Sequence, residues 1–449
     1  MTNGRPVPAP DASAIRAQPD FGAFVRHSGA RDRLVVQPRM GFGDPGRMRR
    51  GLLATKRAAA TTVGTLTLDS YTRVGDLAAV EAALRDGADL NGYPLVSHPT
   101  ATTAALLDGV RDAGFPVQVR HGSAVPLDIF RALTRLGLNA TEGGPVSYCL
   151  PYGRTPLSDS VRNWRLSCEM YSWLRDVGVE PHLETFGGCM MGQLCPPSQL
   201  VAISLLEALF FFQHGIRSLS LSYAQQTHTG QDHEAVLALR RLCSELLPTP
   251  NWHIVVYAYM GVYPQTPRGA RLLLAQAAAL AVTSGAPRLI VKTVAEAHRI
   301  PTVAENVRAL EDAGAVARAV APGPDAVQPP ATSQTYAEAR ALIDAVLDLN
   351  DDIGTALLAA FRCGYLDIPY CLHPDNAGRA RSRIDADGRL RWSELGSLPL
   401  QGIAERTSTR TTGSAELLED LFHLRSVYDD PTHPRAAELA LNEGPGRGG

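Results

Sequence analysis

Charged side chains follow several short apolar runs along the chain, at the points where those runs end. The arginines Arg39, Arg73 and Arg120 stand at three such points, and His121 follows Arg120 directly. Glu142 follows a further run. In a parallel barrel the carboxyl ends of all strands meet at one face, which is the face where active sites form. The pattern therefore predicts that these side chains line one common mouth.

Three arginines around one mouth would repel one another unless an anion lay between them. The planar guanidinium group of arginine forms paired hydrogen bonds with a carboxylate or a phosphate. Glycines beside two of the charged positions, at Gly122 and at Gly143-Gly144, allow close approach of the backbone to a ligand. We therefore expect a dicarboxylic acid or a phosphorylated molecule as the ligand. Each arginine taken alone has a simpler alternative, which is to cap a helix or to pair with a structural acid.

Lysine is rare in this chain. Only Lys56 and Lys292 are lysines among 43 basic residues. Lys292 ends the apolar run Leu289-Ile290-Val291, so it belongs to the same set of strand-end charges, whereas Lys56 is interpreted as a surface residue. A Schiff-base lysine at such a position, as in barrel aldolases, is a remote alternative.

The composition excludes several classes of protein. The 449 residues carry 43 basic and 45 acidic side chains, which argues against nucleic-acid binding through bulk charge. A hydrophobic content of 45% excludes a disordered acidic chain. The chain has seven cysteines, an odd number, and no C-x-x-C motif, so neither a disulfide framework nor a zinc ribbon is indicated. No apolar secretory segment or membrane-spanning run is visible, and we expect a cytoplasmic protein that does not bind membranes.

The elements that must position the charged residues alternate between β-like runs and amphipathic helical stretches. From about residue 34 to about residue 300, this alternation predicts a parallel sheet covered by helices. There are nine candidate strands, one more than an eight-stranded barrel needs. The run at 93–96 is the weakest candidate because it contains Pro94. The candidate strands are 34–36, 65–68, 93–96, 117–119, 139–141, 182–184, 219–221, 254–257 and 289–291.

Four regions are expected along the chain. Residues 1–30 form a flexible N-terminal arm, residues 31–330 the barrel domain, residues 331–440 a C-terminal region of helices and loops that packs on the barrel, and residues 441–449 a disordered tail. Clustered prolines indicate a connector at 301–335.

Within the C-terminal region, two helices are expected near 336–349 and 353–364. A short hairpin is expected to turn at Asp387-Gly388.

Three other motifs have weaker chemical interpretations. The G-x-G-x-x-G sequence from Gly41 to Gly46 lacks the acidic residue that a dinucleotide site requires about 20 residues later. His228 and His233 lie in a polar stretch without supporting carboxylates, so a surface loop is favoured over a metal site. Cys189 and Cys195 are expected to be buried thiols rather than a redox pair.

A series of short motifs, in their order along residues 33–400, resembles the large (epsilon, or E) subunit of coenzyme B12-dependent glutamate mutase, also called methylaspartate mutase. Each motif is short, but their common order makes the resemblance specific. The motifs include Gln37-Pro38-Arg39, Asp69-Ser70-Tyr71-Thr72-Arg73, Leu90-Asn91-Gly92-Tyr93-Pro94, Arg120-His121-Gly122, Glu142-Gly143-Gly144, Ser147-Tyr148, Pro151-Tyr152, Glu184-Thr185-Phe186-Gly187, Pro196-Pro197-Ser198, Val291-Lys292-Thr293, Ile300-Pro301-Thr302, Asp367-Ile368-Pro369 and Asn376-Ala377-Gly378.

The resemblance implies a (β/α)8 TIM barrel and assigns roles to the charged residues at its mouth. Arg39, Arg73 and Arg120 would hold the two carboxylates of glutamate, with His121 beside them. The amino group would be held by the catalytic pair Glu142 and Tyr152, and Tyr148 would line the substrate cavity.

The resemblance also implies contacts to adenosylcobalamin. Lys292 and Glu296 would contact its ribose and adenosyl parts, so Lys292 is not a Schiff-base residue in this interpretation. The implied reaction is the radical interconversion of L-glutamate and (2S,3S)-3-methylaspartate, an isomerisation expected in glutamate catabolism. The implied cofactor-binding residues are Gly41, Asn91, Pro151, Tyr263, Lys292, Glu296 and Ile300.

The absence of one family motif from this chain bears on which partner proteins the resemblance implies. The cobalamin-binding partner in this family carries an Asp-x-His-x-x-Gly motif whose histidine ligates cobalt, and no such motif occurs in this chain. The resemblance therefore implies no metal ligand in this chain. It implies a separate small (sigma, or S) cobalamin subunit and a homodimer of this chain, together a heterotetramer.

The sequence departs from the family pattern in three loops, at 189–195, 222–226 and 257–263. Two alternatives therefore stay open beside glutamate mutase. One is a related B12-dependent mutase that acts on another amino dicarboxylate in secondary metabolism. The other is a non-catalytic homologue that binds a dicarboxylate.

Overall fold

Nine parallel strand segments and one separate hairpin make up the sheet structure of the described residues. The computed structural model describes residues 19–31, 33–151, 153–190, 194–322, 333–407 and 413–432. The hairpin consists of β10 (Arg381–Ile384) and β11 (Leu390–Glu394). The parallel segments are β1 (Val35–Gln37), β2 (Thr61–Thr62), β3 (Gly64–Thr67), β4 (Val117–Arg120), β5 (Ala140–Gly143), β6 (His182–Thr185), β7 (Ser218–Ala224), β8 (Trp252–Tyr257) and β9 (Arg288–Ile290).

The parallel segments form a closed barrel. Their order in the sheet is β2-β1-β9-β8-β7-β6-β5-β4-β3, so β2 and β3 occupy the two ends of the order. Only Val63 separates β2 from β3 in the chain, and the first pairs with β1 while the second pairs with β4. One extended segment, 61–67, therefore joins both edges, and the structure is an eight-stranded parallel barrel, as the strand-helix alternation and the family resemblance predicted. The doubtful candidate at 93–96 contributes only a single bridge between Leu68 and Tyr93.

Helices follow the strands and cover the outside of the barrel. Their first turns carry capping residues, such as Asp44, Asp69 and Thr302, whose side chains accept hydrogen bonds from free backbone N–H groups. The helices are α1 (Phe21–Gly29), α2 (Pro45–Arg57), α3 (Ser70–Val74), α4 (Leu77–Arg85), α5 (Thr100–Leu107), α6 (Leu127–Leu136), α7 (Leu157–Ser172), α8 (Pro197–Gln213), α9 (Thr229–Leu246), α10 (Pro267–Thr283), α11 (Val303–Ala319), α12 (Gln334–Leu347), α13 (Ile353–Cys363) and α14 (Ser414–Asp429), with 3-10 helices at Trp173–Val177 and Gly187–Cys189.

The interior of the barrel is polar and fully buried. Arg288 forms an ion pair with Glu184 and also donates to Gln37. Gln37 Nε2 donates to Gln118 Oε1 at 2.7 Å, and Gln118 Nε2 donates to Glu184 Oε2 at 3.2 Å. Ser220 Oγ donates to the same glutamate oxygen at 3.0 Å. The charges are thus paired and hydrogen-bonded, which is the condition under which ions are tolerated in a protein interior.

The flexible N-terminal arm expected over residues 1–30 is wrong for residues 21–29. Residues 21–29 form α1, whose N-cap Asp20 accepts from Ala23 N at 2.8 Å. Phe21 and Val25 on this helix are fully buried, and the Phe21 ring lies 5.1 Å from the His182 ring at the amino end of β6. Apolar burial therefore overrides the proline- and alanine-rich composition here. Residues 1–18 and the predicted tail at 441–449 lie outside the described residues.

The connector expected at 301–335 is also wrong over residues 303–319. Thr302 and Glu305 form a reciprocal capping box, and the 17-residue helix α11 follows. The prolines that suggested a connector begin only at Pro322, after this helix ends. The expected helices near 336–349 and 353–364 are confirmed as α12 and α13, and the hairpin turning at Asp387-Gly388 is confirmed as β10–β11.

The boundaries of the four predicted regions stay predictions. The described ranges contain no helix that is both long enough and apolar enough to span a membrane.

The burial of α1 makes a prediction about stability. Phe21→Ala is expected to lower the free energy of unfolding by about 3–5 kcal/mol, because a fully buried aromatic side chain is removed and a cavity remains. Phe24→Ala on the same helix is the matched control, and it should cost less because Phe24 is only partly buried. Denaturant titration measures both, and equal losses would contradict the docking of α1 through Phe21.

Candidate active site

A cavity of about 320 Å³ opens at the carboxyl ends of the barrel strands. Its lining comes from the loops that follow β1, β3, β4, β5, β6, β8 and β9, which is the arrangement expected for a barrel active site. Most of the predicted site residues therefore lie together. Those that line the cavity are Arg39, Gly41, Arg73, Asn91, Arg120, His121, Glu142, Tyr148, Glu296 and Ile300.

The other predicted site residues lie away from the cavity surface. Lys292 lies behind Glu296 and lines a smaller neighbouring cavity of about 260 Å³. Its Nζ is 4.9 Å from the centre of the buried Tyr263 ring. Pro151 lies half-buried in the loop after β5, and Tyr152 lies outside the described residues.

Arg120 and Glu142 form a buried ion pair at the bottom of the cavity. Arg120 Nη2 lies 2.9 Å from Glu142 Oε2. Glu142 also accepts from the hydroxyl of Tyr148 and, at 2.9 Å, from the hydroxyl of Tyr257. Burial acts against the charged form of Arg120, but Glu142 and the neighbouring tyrosines outweigh it and hold the pKa well above its usual value. Arg120 Nη1 is buried and has no hydrogen-bond partner among the described residues, so a donor remains for a ligand.

His121 is a neutral side chain in this site. Burial, followed by the charge of Arg73, lowers its pKa to about 3, although a backbone contact with Glu142 acts in the opposite direction. His121 Nδ1 accepts from Ser123 N at 3.0 Å, which places the proton of the neutral ring on Nε2. His121 therefore lies beside the arginines as predicted, but it adds no positive charge to them.

Arg73 reaches the cavity from the short helix α3. Asp69 caps this helix by accepting from Thr72 N at 2.9 Å, and Asn91 Oδ1 accepts from Ser70 N at 3.0 Å. Arg73 Nε donates to His121 O at 3.3 Å. In the part of the chain that the structure describes, Arg73 forms no ion pair with a carboxylate. Asn91, predicted as a cofactor contact, thus also positions the helix that carries Arg73.

Arg39, Glu296 and Lys292 form a second charged group at the cavity wall. Glu296 Oε2 lies 3.3 Å from Arg39 Nη1 and 3.9 Å from Lys292 Nζ. Burial lowers the pKa of Lys292 to about 8, with Glu296 raising it and Arg39 lowering it. Gly41 follows Arg39, and a Cβ at this glycine would lie 2.2 Å from the carbonyl oxygen of Thr67. Only glycine therefore lets the chain after β1 pass this close to β3.

Two residues without a predicted role hold the site together. Tyr257 ends β8, and its hydroxyl contacts both Glu142 and Glu184, so it connects the cavity to the polar interior of the barrel. Its position after an apolar run is the same signal that identified Glu142. Glu207 on α8 accepts from Val146 N at 3.1 Å, from Ser147 N at 2.8 Å and from Gly187 N at 3.1 Å.

Glu207 therefore orders the loops after β5 and β6. A Cβ at Gly144 would lie 2.0 Å from Glu207 Oε1, so this contact requires a glycine. Burial raises the pKa of Glu207 to about 7, although the donors from Ser147 and Val146 lower it. The only sequence signal for this role was a single charge in the apolar run 200–212.

The candidate metal and redox motifs have structural roles. His228 Nδ1 accepts from Gln231 N at 3.1 Å and so caps α9, and His233 Nε2 lies 3.2 Å from Thr283 O. Cys189 and Cys195 are both buried thiols, as expected. Across the described ranges, no three histidine, cysteine or acidic side chains lie close enough together to hold a metal ion.

Comparison with known proteins gives one consistent family. The family model described as "Methylaspartate mutase E chain" matches residues 16–430. A "Glutamate mutase epsilon subunit" of Halobacterium salinarum is 31% identical over 375 residues, which cover 81% of this chain and 78% of that protein. One of Escherichia coli O157:H7 is 29% identical over 352 residues, which cover 74% and 72%. By name, each of these relatives is one subunit of a mutase.

The buried ion pair in the barrel makes a second prediction. Arg288→Met is expected to lower the free energy of unfolding by about 3–5 kcal/mol, because it leaves Glu184 as an uncompensated buried charge. The control is Arg131→Met, which breaks the exposed pair with Asp128 and should cost about 0–1 kcal/mol. Chemical denaturation of both variants at pH 7 is the measurement. Losses of similar size would show that Arg288 does not compensate Glu184.

The raised pKa of Glu207 makes a third prediction, on pH dependence. Its pKa lies above the ordinary value of 4.5 in the folded state, so its contribution to stability is present below pH 4.5 and is lost as the pH rises through about 7. Glu207→Gln cannot titrate, so the stability difference between wild type and variant should change by on the order of 3 kcal/mol across that window. Denaturant midpoints from pH 4 to pH 8 measure it. A difference that stays constant with pH would contradict the raised pKa.

Proposed function

The chain belongs to the methylaspartate mutase E chain family, and we propose that it is the substrate-binding catalytic subunit of an adenosylcobalamin-dependent carbon-skeleton mutase. Mutases are isomerases, and this is the enzyme class to which the family assigns the chain. The proposed reaction interconverts L-glutamate and (2S,3S)-3-methylaspartate. The proposal rests on the relatives named above and on the charge distribution of the cavity.

The observation that carries the proposal is the set of donors left for an anion. Glu142 pairs with Arg120, and Glu296 pairs with Arg39, so both acidic residues of the lining are neutralised from within the site. Arg73 and the Nη1 group of Arg120 remain available in the same cavity. Arg73, which has no carboxylate partner among the described residues, and the open Nη1 of Arg120 around about 320 Å³ fit a small molecule with two carboxylates better than a larger phosphorylated one.

The acidic and aromatic residues provide the rest of the substrate site. The carboxylate of Glu142 is the acidic group nearest the arginines, and we assign it to the substrate ammonium group, with Tyr152 beside it as the sequence predicts. The rings of Tyr148 and Phe186 pack in a tilted arrangement with 4.7 Å between their centres and form an apolar side of the cavity. A wall of this kind excludes water and keeps reaction fragments from drifting apart.

The cavity rim fits the cofactor that the family resemblance implies. Ile300 lines the cavity although 54% of its side chain is exposed, which is unusual for a large aliphatic residue. Exposed Tyr71 and Val74 on the short helix α3, and exposed Val125 in the loop after β4, lie at the same end of the barrel. An apolar rim of this kind suits the broad, flat face of a corrin ring. When bound, adenosylcobalamin supplies the radical chemistry by which a hydrogen atom leaves and returns to the substrate.

The second charged group is assigned to this cofactor. Glu296 is held between Arg39 and Lys292 and can accept hydrogen bonds from ribose hydroxyls. Lys292 lies behind it, so we propose that the lysine orients Glu296. Gly41, Asn91, Pro151, Tyr263 and Ile300 keep the contact roles that the resemblance implies. The cobalt ligand is assigned to a separate small subunit, because this chain has no Asp-x-His-x-x-Gly motif.

A related substrate is the second candidate, and one observation favours it. Tyr257 belongs to the segment 257–263, where the sequence departs from the family pattern, and its hydroxyl donates to the carboxylate of Glu142. A change of this kind in direct contact with the assigned ammonium-binding group alters the shape and polarity of the substrate site. An amino dicarboxylate other than glutamate would then be the natural substrate.

Reconstitution tests both candidates. The full chain is mixed with a small cobalamin-binding subunit and adenosylcobalamin, and products from L-glutamate and from other amino dicarboxylates are identified by mass spectrometry. 3-Methylaspartate from L-glutamate supports the first candidate, and an isomerised product from another amino dicarboxylate supports the second. Absence of turnover with every substrate, while the same small subunit is active with another family member, would contradict both.

The carboxylate assignment makes a fourth prediction. Arg73→Lys is expected to raise the KM for the dicarboxylate and to lower kcat/KM by about 10-fold to 100-fold, because the planar fork of the guanidinium group is lost while the charge stays. Arg131→Lys, an exposed position on α6, is the control and should leave both constants unchanged. Steady-state kinetics of the reconstituted enzyme are the measurement. Kinetic constants of Arg73→Lys equal to those of the wild type would contradict the placement of Arg73 in the substrate site.

A further inference from the structure

A second cavity among the described residues lies at the opposite end of the barrel from the candidate active site. It has a volume of about 870 Å³ and is formed by the amino ends of β1, β8 and β9 and by the carboxyl ends of α1, α10 and α11. This end of a barrel ordinarily serves stability rather than chemistry. A cavity of this size is therefore unexpected here, and the residues that line it indicate the chemistry of a ligand that would fit.

The lining is strongly basic. Arg26, Arg33, Arg240 and Arg318 all contribute to it, and the described lining contains no aspartate or glutamate. Within the ranges that the structure describes, Arg26, Arg33 and Arg318 form no ion pair with a carboxylate. Arg240 and Arg318 donate to the carbonyl oxygens of Ser284 and Ala59, whereas Arg26 and Arg33 have neither an acid nor a carbonyl partner among the described residues. Like charges brought together in this way repel one another unless an anion lies between them. This cluster therefore favours an anion in the cavity.

Two buried hydrogen-bond donors at the cavity have no partner. Arg26 Nη1 is buried and makes no hydrogen bond to a described residue. His253 lines the cavity and is only 3% exposed. Arg288 Nε donates to His253 Nε2 at 3.3 Å, so the proton of this histidine lies on Nδ1, which is also unpartnered. Buried donors without acceptors are rare in folded proteins because each one costs free energy, and a ligand that accepts their hydrogen bonds removes that cost.

Burial and the charge of Arg288 lower the pKa of His253 well below its usual value. The ring is therefore neutral and offers a hydrogen bond without adding charge. Arg240 Nη2 lies at the same wall and donates to Ser284 O at 2.7 Å, which fixes the direction of that guanidinium group. The basic side of the cavity thus combines two charge-bearing side chains of α1 and α9 with a neutral donor.

The remaining wall of the cavity is apolar. It is formed by Leu34, Trp252, Ile254, Ala281, Pro287 and Val320. Trp252 provides an aromatic face against which a flat ring can stack. A simple inorganic anion would leave this wall without contact, so the ligand must have an anionic group and an apolar part.

We propose that the cavity at the amino end of the barrel binds a small organic anion, a phosphate or carboxylate carried on an aromatic or aliphatic body. The anionic group lies between Arg26, Arg33 and His253, and the body lies along Trp252. This site is separate from the dicarboxylate site at the mouth and needs neither the cofactor nor a second subunit.

Calorimetry on the full chain alone tests the proposal. Adenosine 5′-monophosphate probes the phosphate source and 3-phenylpropionate the carboxylate source, with uncharged adenosine as the comparison. At least one of the two anions should bind in a 1:1 ratio, adenosine should bind at least tenfold more weakly, and the affinity should fall as salt is raised. The absence of binding by both anions, or equal binding of adenosine, would overturn the proposal.

Variants locate the site. Arg26→Gln and Arg33→Gln should each weaken binding at least tenfold, and Arg33→Gln keeps the test valid if Arg26→Gln does not fold, because Arg33 is exposed. Arg362→Gln, at an exposed position on α13, should bind like wild type. Arg73→Gln should also keep full affinity. Loss of binding in Arg73→Gln, or wild-type affinity in Arg33→Gln, would place the anion elsewhere and overturn the proposal.

Discussion

The buried ion pair between Glu184 and Arg288 is the interaction on which the rest of the barrel depends. Both side chains are fully buried, and charges withdrawn from water are stable only when they are paired and their remaining groups are hydrogen-bonded. Gln37, Gln118 and Ser220 complete those hydrogen bonds. The five residues come from β1, β4, β6, β7 and β9, so a shift of any of these strands by one residue would break the network. The polar interior thus determines the register of the barrel.

The same network fixes the charges at the mouth. The hydroxyl of Tyr257 carries one hydrogen and contacts the carboxylates of both Glu142 and Glu184. The two carboxylates therefore share one donor, and each has its own arginine, Arg120 for the first and Arg288 for the second. Because Glu142 is held in this way, Arg120 has a defined position in the cavity lining, and its Nη1 has no hydrogen-bond partner among the described residues. A pre-arranged donor of this kind binds an anion without first losing side-chain freedom.

The sequence predicted those parts of the structure that follow from local patterns. The ends of the apolar runs located Arg39, Arg120 and Glu142 at one mouth, since each strand end is marked within a few residues. Thr302 and Glu305 form a capping box that begins α11, although the proline-rich composition of 301–335 predicts a connector there. Local composition is thus a weaker guide than a capping motif with a physical mechanism.

The partners that hold the site together could not be predicted in this way, because they are distant in the chain. Arg288 and Glu184 are separated by 104 residues, and Tyr257 and Glu142 by 115. The sequence around one residue of such a pair does not indicate which distant residue will contact it in the fold. Glu207 illustrates the same limit, because its loop partners Val146 and Ser147 are about 60 residues away.

The two ends of the barrel show how one residue type takes on different chemistry from its surroundings. At the mouth, the acids Glu142 and Glu296 neutralise part of the arginine charge, and the amino dicarboxylate that we propose as substrate carries the complementary pattern of two carboxylates and one ammonium group. At the amino end, the described cavity lining has arginines without acids and an aromatic wall, so a purely anionic group on an apolar body is the complementary ligand. The presence of arginines alone does not distinguish the cavity at the mouth from the cavity at the amino end. The acids placed among the arginines decide which charge pattern each end accepts.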